Sequence, residues 1–381
     1  MLIPDTTIIT QCFFLKPYFD ESKKKYSRTL EEMVYKNGEF LLSTPAYMYI
    51  FCDEYSYSHI FKVRNEKYQL GHLTYYNVLK FEDTWAYQYK DEFIKNKLKI
   101  KSNFQESDLR TNWSLHLCVA NCLDFIKKCI IQNHFNTRSF LYIDININKI
   151  IKNEMTNKEE YKYFNDNAKL NFLKILNNIP DKFHINCMGV INKNFLKDEN
   201  LDEFYKCKRY FVSGGLITLT NSQKNIEIIN SIQSNFIKHL NLGYGHGFEM
   251  LFVDIFDKYY DDIIKSYGDY WDIINNYFEM KTNQKYIIDY IIRPNLRFKY
   301  YKECIDVCDF FINSIENLSC SINFENYFYV LYSKYVAAFY YDKKLSLETL
   351  IKIRKNIELI PDFRTVYLSN KDFYDKEFSF L

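Results

Sequence analysis

Between residue 6 and about residue 280 the chain alternates short β-branched or aromatic runs with longer segments of helical period. The apolar runs cover 6–14, 46–54, 138–146, 183–190 and 210–219, and the helical segments 27–42, 112–133, 151–180, 221–240 and 248–258. Within 112–133, Leu115, Val119, Cys122, Phe125, Ile126 and Cys129 recur at helical steps. Strands alternating with helices predict an α/β layered fold with a mostly parallel, Rossmann-type sheet. Region 66–108 shows neither period clearly. Beyond Arg293-Pro294-Asn295 the pattern turns wholly helical, over 299–316, 326–341 and 345–359. The sequence therefore predicts an α/β domain over 1–294 and an all-α appendage over 295–381.

Charge and composition exclude several classes. Lys+Arg number 50 against 48 Asp+Glu, so the excess of positive charge that clamps nucleic acid is missing. No run approaches the ~20 apolar residues of a membrane span. The ten cysteines form no CxxC pair and read as buried, reduced thiols. The first residues lack a basic, apolar leader, so the expected location is cytoplasmic. Heavy use of Lys, Asn, Ile, Tyr and Phe fits an AT-rich genome, and for a large DNA virus the location would be the host cytoplasm or the virion. The many aromatics of the last helices could cover a second copy of the chain, giving a homo-oligomer.

Three short elements could carry chemistry. The run Phe140-Leu141-Tyr142-Ile143-Asp144-Ile145-Asn146 is an apolar strand ending in two oxygen-bearing side chains. Ligands of open α/β sheets bind at that edge, and alternate strand residues face one side. Asp144 and Asn146 are thus candidate ligands of a hard cation such as Mn²⁺ or Mg²⁺. The plainer alternative is an ordinary turn, which Asp and Asn also favour. The second element, Ser213-Gly214-Gly215, suits close approach of backbone to a ligand, or a simple bulge. The third, Gly243-Tyr244-Gly245-His246-Gly247-Phe248-Glu249, packs three glycines before a helix. Glu249 there is a candidate base for an acceptor hydroxyl, and His246 a candidate metal or pyrophosphate contact. With only nine glycines in the chain, placing five in these two elements is unlike random scatter. No Rossmann GxGxxG, P-loop, HExxH, GxSxG or zinc spacing occurs.

In order and spacing, these pieces resemble the HtrL/YibB-like family, read as glycosyltransferases and found in bacterial polysaccharide loci and giant viruses. The resemblance runs over most of 6–280. It takes in Thr7-Ile8-Ile9-Thr10 with Phe13-Phe14, Tyr49 to Glu54, Arg64, Asn133-His134-Phe135 leading to Asp144, both glycine elements, and Gly268-Asp269-Tyr270. It implies a GT-A-like fold and metal-assisted transfer from a UDP-, GDP- or dTDP-sugar to a glycan or protein acceptor. It also implies a nucleotide pocket lined by Thr10, Phe13, Asp53 and Arg64, with Gly214, Gly215 and His246 on the substrate. Asp144 and Asn146 would hold the metal, and Glu249 and Asp269 would serve catalysis. Two positions depart from the family: Asn146 replaces a glycine, and Phe248 replaces an acid. The second departure keeps open an inactive sugar-binding or structural relative; separately, Asp144 with a metal would also suit an unrelated nucleotide or phosphoester enzyme.

Overall fold

The structure is a computed structural model that describes residues 3–19, 29–99, 112–147, 158–206, 211–244, 248–280, 284–317 and 322–372. Its main elements, in chain order, are β1 (Thr6–Cys12), β2 (Tyr47–Cys52), α1 (Glu54–Phe61), β3 (Thr74–Val78), α2 (Trp113–Gln132), β4 (Ser139–Ile143), α3 (Lys158–Asn177), β5 (Phe183–Cys187), β6 (Val212–Thr220), α4 (Gln223–Asn241) and β7 (Ile263–Tyr267). The helices α5 (Tyr301–Glu316), α6 (Phe324–Tyr341), α7 (Lys343–Leu359) and α8 (Pro361–Ser369) follow. β3 falls in the region where the sequence showed no clear period, and β7 was not expected.

The described strands form a seven-stranded sheet in the order β3-β2-β1-β4-β6-β5-β7. β1 pairs in parallel with both β2 and β4, and β2 with β3. β6 runs antiparallel to β4, with Ile143 opposite Leu216. The sheet is thus mixed and mostly parallel, as an alternating chain requires. Its first strands are added on one side of β1 and the next on the other. That reversal opens a crevice at the carboxyl ends of β1 and β4, where open α/β sheets take their ligands.

Helices cover the sheet, which explains the strand composition. Every residue of β1, β4, β5 and β6 is buried, as apolar runs without alternation demand. The edge strand β3 is only half-buried. α2 lies against β1 and β4. Its Phe125 stacks on Phe51 of β2 at 4.0 Å and 8° and faces Phe13 at 6.1 Å. Asn112 caps α2 by accepting the Ser114 N–H at 2.8 Å, and the left-handed Asn133 (φ 35°) ends it.

The chain divides into two compact units. The first comprises 1–186 and 193–265, and the second 187–192 and 266–381. In the second unit α6 packs against α5, α7 and α8, around Cys308, Phe311, Phe328, Leu331, Ile353 and Phe363. Glu316 joins two of these helices by accepting the Tyr327 hydroxyl at 2.8 Å and pairing with Lys352. The described cysteines are buried and unbridged. No helix among the described residues is long and apolar enough to cross a membrane.

Arg64 is the largest fully buried side chain, with 0% exposure. Its guanidinium donates to the carbonyls of Leu42 (2.9 Å), Thr44 (3.0 Å) and Ala46 (2.7 Å), and to the Thr74 hydroxyl (2.5 Å). The fork thereby closes the turn entering β2 against the start of β3. Burial lowers its pKa to about 10, so it stays charged at neutral pH. A buried cation needs partners for its donors, and the three carbonyls and the hydroxyl take four of its five N–H groups. Arg64→Met should destabilise the fold by about 3 kcal/mol or more, because three buried carbonyls lose their donors at roughly 1 kcal/mol or more each. Urea unfolding measures this. Arg64→Lys should restore little, since one ammonium lacks the planar fork.

Candidate active site at the carboxyl ends of β1 and β4

Parallel pairing carries the ends of β1 and β4 to the same edge of the sheet. Antiparallel β6 starts at that edge, so its first residues meet the end of β4. The Asp144 N–H donates to the Gly215 carbonyl at 3.0 Å, one step beyond the last residue of β4. A hollow of about 70 Å³ opens here, lined among others by Gln11, Phe13, Cys118, Tyr142, Asp144 and Asn146. One water needs about 10–15 Å³, so there is room for a hydrated ion or a phosphate group.

β4 ends at Ile143, and Asp144 to Asn146 form a turn rather than three more strand residues. Asp144 and Asn146 are therefore adjacent through that turn and not through strand alternation. Asp144 Oδ1 accepts the Asn146 backbone N–H at 2.9 Å and its Nδ2 at 3.2 Å. Ile147 N–H closes the turn on the Asp144 carbonyl at 3.0 Å. Oδ2 of Asp144 and the side-chain oxygen of Asn146 take no hydrogen bond from any described residue. Both residues are half-buried. The pair thus presents one carboxylate oxygen and one amide oxygen, the hard donor type that Mg²⁺ and Mn²⁺ accept. Among the described residues no group of three His, Cys, Asp or Glu is placed to hold a metal ion.

Glu249 packs against β6. A Cβ built on Gly214 would lie 3.0 Å from Glu249 Cγ. The side chain therefore crosses the strand at its glycine, and the close approach is the reason a glycine stands there. Burial and then Glu249 push the Cys122 thiol well above its usual range. Burial, Cys122 and Asp144 do the same to the Tyr142 phenol, against a lowering hydrogen bond from Gln11. Asp144, Tyr142, Cys122 and Glu249 are thus successive electrostatic neighbours. His239 holds the start of the glycine element and the helical turns after Glu249. The Tyr244 N–H donates to the His239 carbonyl at 2.8 Å, and His239 Nε2 lies 3.2 Å from Asp254. Positions 245–247, with His246, lie outside the described residues.

The remaining expected residues are spent on structure to different degrees. The Thr10 hydroxyl donates to the Ile143 carbonyl at 2.8 Å, binding β1 to the end of β4. Phe13 lines the hollow and is 2% exposed. Asp53 caps α1 by accepting the Ser56 N–H at 2.6 Å, and it also accepts the Phe14 N–H at 2.5 Å. Arg64 is enclosed as described and gives its donors to backbone. Asp269 belongs to the second unit and caps a short turn, accepting from Trp271 N–H and Asp272 N–H. Preceding it, Gly268 (φ +155°) stands where a Cβ would meet Asn276 Nδ2 at 2.3 Å.

Sequence reasoning passed over Gln11, Tyr142 and Cys118. Gln11 Nε2 donates to the Tyr142 hydroxyl at 2.7 Å, and the Cys118 thiol donates to Gln11 Oε1 at 3.7 Å. A polar Gln inside an apolar run, and a Tyr two residues before the acid, were the available signals.

Compared with known protein families and with curated proteins, the chain matches none.

Asp53 holds two backbone donors at the end of β2, one of them from the segment that continues β1 into the hollow. Asp53→Ala should cost about 1–2 kcal/mol of stability, the usual value of a helix cap. Asp53→Asn keeps one acceptor oxygen and should lose less. Thermal and urea unfolding of the two variants checks the order.

Proposed function

We propose that the chain is a nucleotide-sugar-dependent glycosyltransferase of GT-A-like fold acting with Mn²⁺ or Mg²⁺. One observation carries the reading: Asp144 keeps an uncommitted carboxylate oxygen in the hollow at the sheet's switch point; on the neighbouring β6, Glu249 folds over Gly214. The ordered resemblance of 6–280 to the HtrL/YibB-like family supports it.

On this reading Asp144, with Asn146, holds the cation, which offsets the charge of the diphosphate leaving group. The bare backbone of Gly214 and Gly215 leaves space for sugar. Glu249 accepts the proton of the acceptor hydroxyl as its oxygen bonds to the anomeric carbon. The bond from that carbon to phosphate breaks, and the diphosphate leaves with the electron pair. The buried apolar wall of α2 limits water near the reacting carbon, which favours the acceptor over hydrolysis.

Nucleotide release from UDP-, GDP- and dTDP-sugars with Mn²⁺ tests the reading. One donor should turn over, and Asp144→Ala should remove at least about 99% of the rate, as loss of a metal-holding carboxylate does. Background release from every donor, unchanged by Asp144→Ala, overturns it. A second experiment concerns the base. Glu249→Gln should slow transfer by about 10²–10⁴-fold, while Mn²⁺-dependent nucleotide affinity in calorimetry stays constant. Gly214→Ala pushes a methyl onto Glu249 Cγ and should slow transfer in the same direction with nucleotide affinity kept. Loss of nucleotide binding in Glu249→Gln would make Glu249 a ligand and not a base.

A further inference from the structure

Beside Asp144 the hollow holds a polar pair that the reaction above does not use. Tyr142 is 4% exposed and Gln11 8% exposed, and both line the hollow. The hydrogen bonds between them have a direction. The Cys118 thiol donates to Gln11 Oε1 at 3.7 Å, and Gln11 Nε2 donates to the Tyr142 oxygen at 2.7 Å. Tyr142 accepts in that bond, so its own proton remains to be placed. No described residue accepts it. A buried hydroxyl without an acceptor is costly, and proteins pair such groups with protein, water or ligand. Asp144 is within electrostatic reach of the phenol yet forms no hydrogen bond with it. The surrounding wall is apolar, with Phe13 and Leu115 among its residues, so a hydrogen bond made here is little weakened by water.

We propose that Tyr142, oriented by Gln11, donates its hydroxyl proton to a phosphate oxygen of a nucleoside diphosphate seated beside Asp144. The inference rests on the nucleotide-sugar reading and names a residue for it. A neutral donor suits this position. It adds no positive charge that would compete with a cation for Asp144, and it recognises an anionic oxygen by a short, charge-assisted bond. A lysine in its place would pair with Asp144 itself.

Calorimetric binding of UDP, GDP and dTDP, each with Mn²⁺, tests the proposal on the whole chain. Tyr142→Phe keeps the ring and removes the hydroxyl. It should weaken the nucleotide that binds by about ten- to a hundredfold, the worth of a hydrogen bond to a charged group. Gln11→Glu gives the phenol an internal acceptor in place of a donor. It should weaken the same nucleotide comparably, and it keeps the proposal testable if Tyr142→Phe does not fold. If wild type binds one nucleotide and both variants bind it as tightly, the hydroxyl serves only the packing of the strand and the inference falls alone. If the variants weaken the nucleotide sugar but not the free nucleoside diphosphate, the acceptor oxygen belongs to the sugar and the phosphate assignment is overturned. If wild type binds none of the three with Mn²⁺, the nucleotide-sugar reading falls and takes this inference with it.

Discussion

The hydrogen bond from the Asp144 N–H to the Gly215 carbonyl, at 3.0 Å, extends the β4–β6 ladder one residue past the end of β4. It exists because β6 runs opposite to β4. A parallel neighbour would bring its carboxyl end, and the loop after it, to this edge of the sheet. The reversed strand brings its beginning, two glycines with no side chains to fill the space. Asp144 is therefore fixed by backbone on one side, and Glu249 crosses over Gly214 on the other. The side chains that gather at this edge depend on that one change of strand direction.

Polar groups in the first unit fall into two kinds. Thr10, Asp53 and Arg64 look like ligand-binding residues in the sequence, yet their donors and acceptors go to backbone. They close the end of β1 on β4, the start of α1 on the chain after β1, and the turn into β2. Strand ends, helix starts and turns all carry backbone groups that need partners, and side chains placed there are taken up by that need. Asp144, Asn146 and Tyr142 differ because each keeps hydrogen-bonding capacity after its local partners are counted.

The sequence pattern makes the α/β layering legible through its period, and the position of Asp144 through an acid closing an apolar run. It does not show which strand face carries the site. β1 and β4 are buried on both sides, so the alternation that marks a solvent face is absent. Thr10 and Gln11 are then indistinguishable by pattern, although only Gln11 lines the hollow. Tyr142 is hidden for a different reason. It is one of 35 tyrosines, and its place in the hollow beside Asp144 comes from packing that local spacing does not report. The meeting of Gly214 with Glu249 spans a whole helix and a loop, a distance over which local spacing carries no information. The antiparallel course of β6 is likewise a long-range outcome, since its residues read like those of any buried strand.

Asp144 is a single carboxylate, and that fact shapes how the proposed chemistry would have to work. A hard cation held by one carboxylate and one amide keeps most of its water and binds weakly alone. Phosphate oxygens can complete its coordination, so cation and nucleoside diphosphate would strengthen each other's binding by the same factor. Until both arrive, the proposed site carries the carboxylates of Asp144 and Glu249 beside a neutral amide from Asn146 and a neutral phenol. Fixed cationic side chains would bind the diphosphate without the metal and retain it after transfer. A site that borrows its positive charge from a cation binding together with the diphosphate releases both more readily, and product release is often the slow step of turnover. The same reasoning explains why Tyr142 would serve better here than an arginine, which the chain instead buries at position 64 to hold backbone.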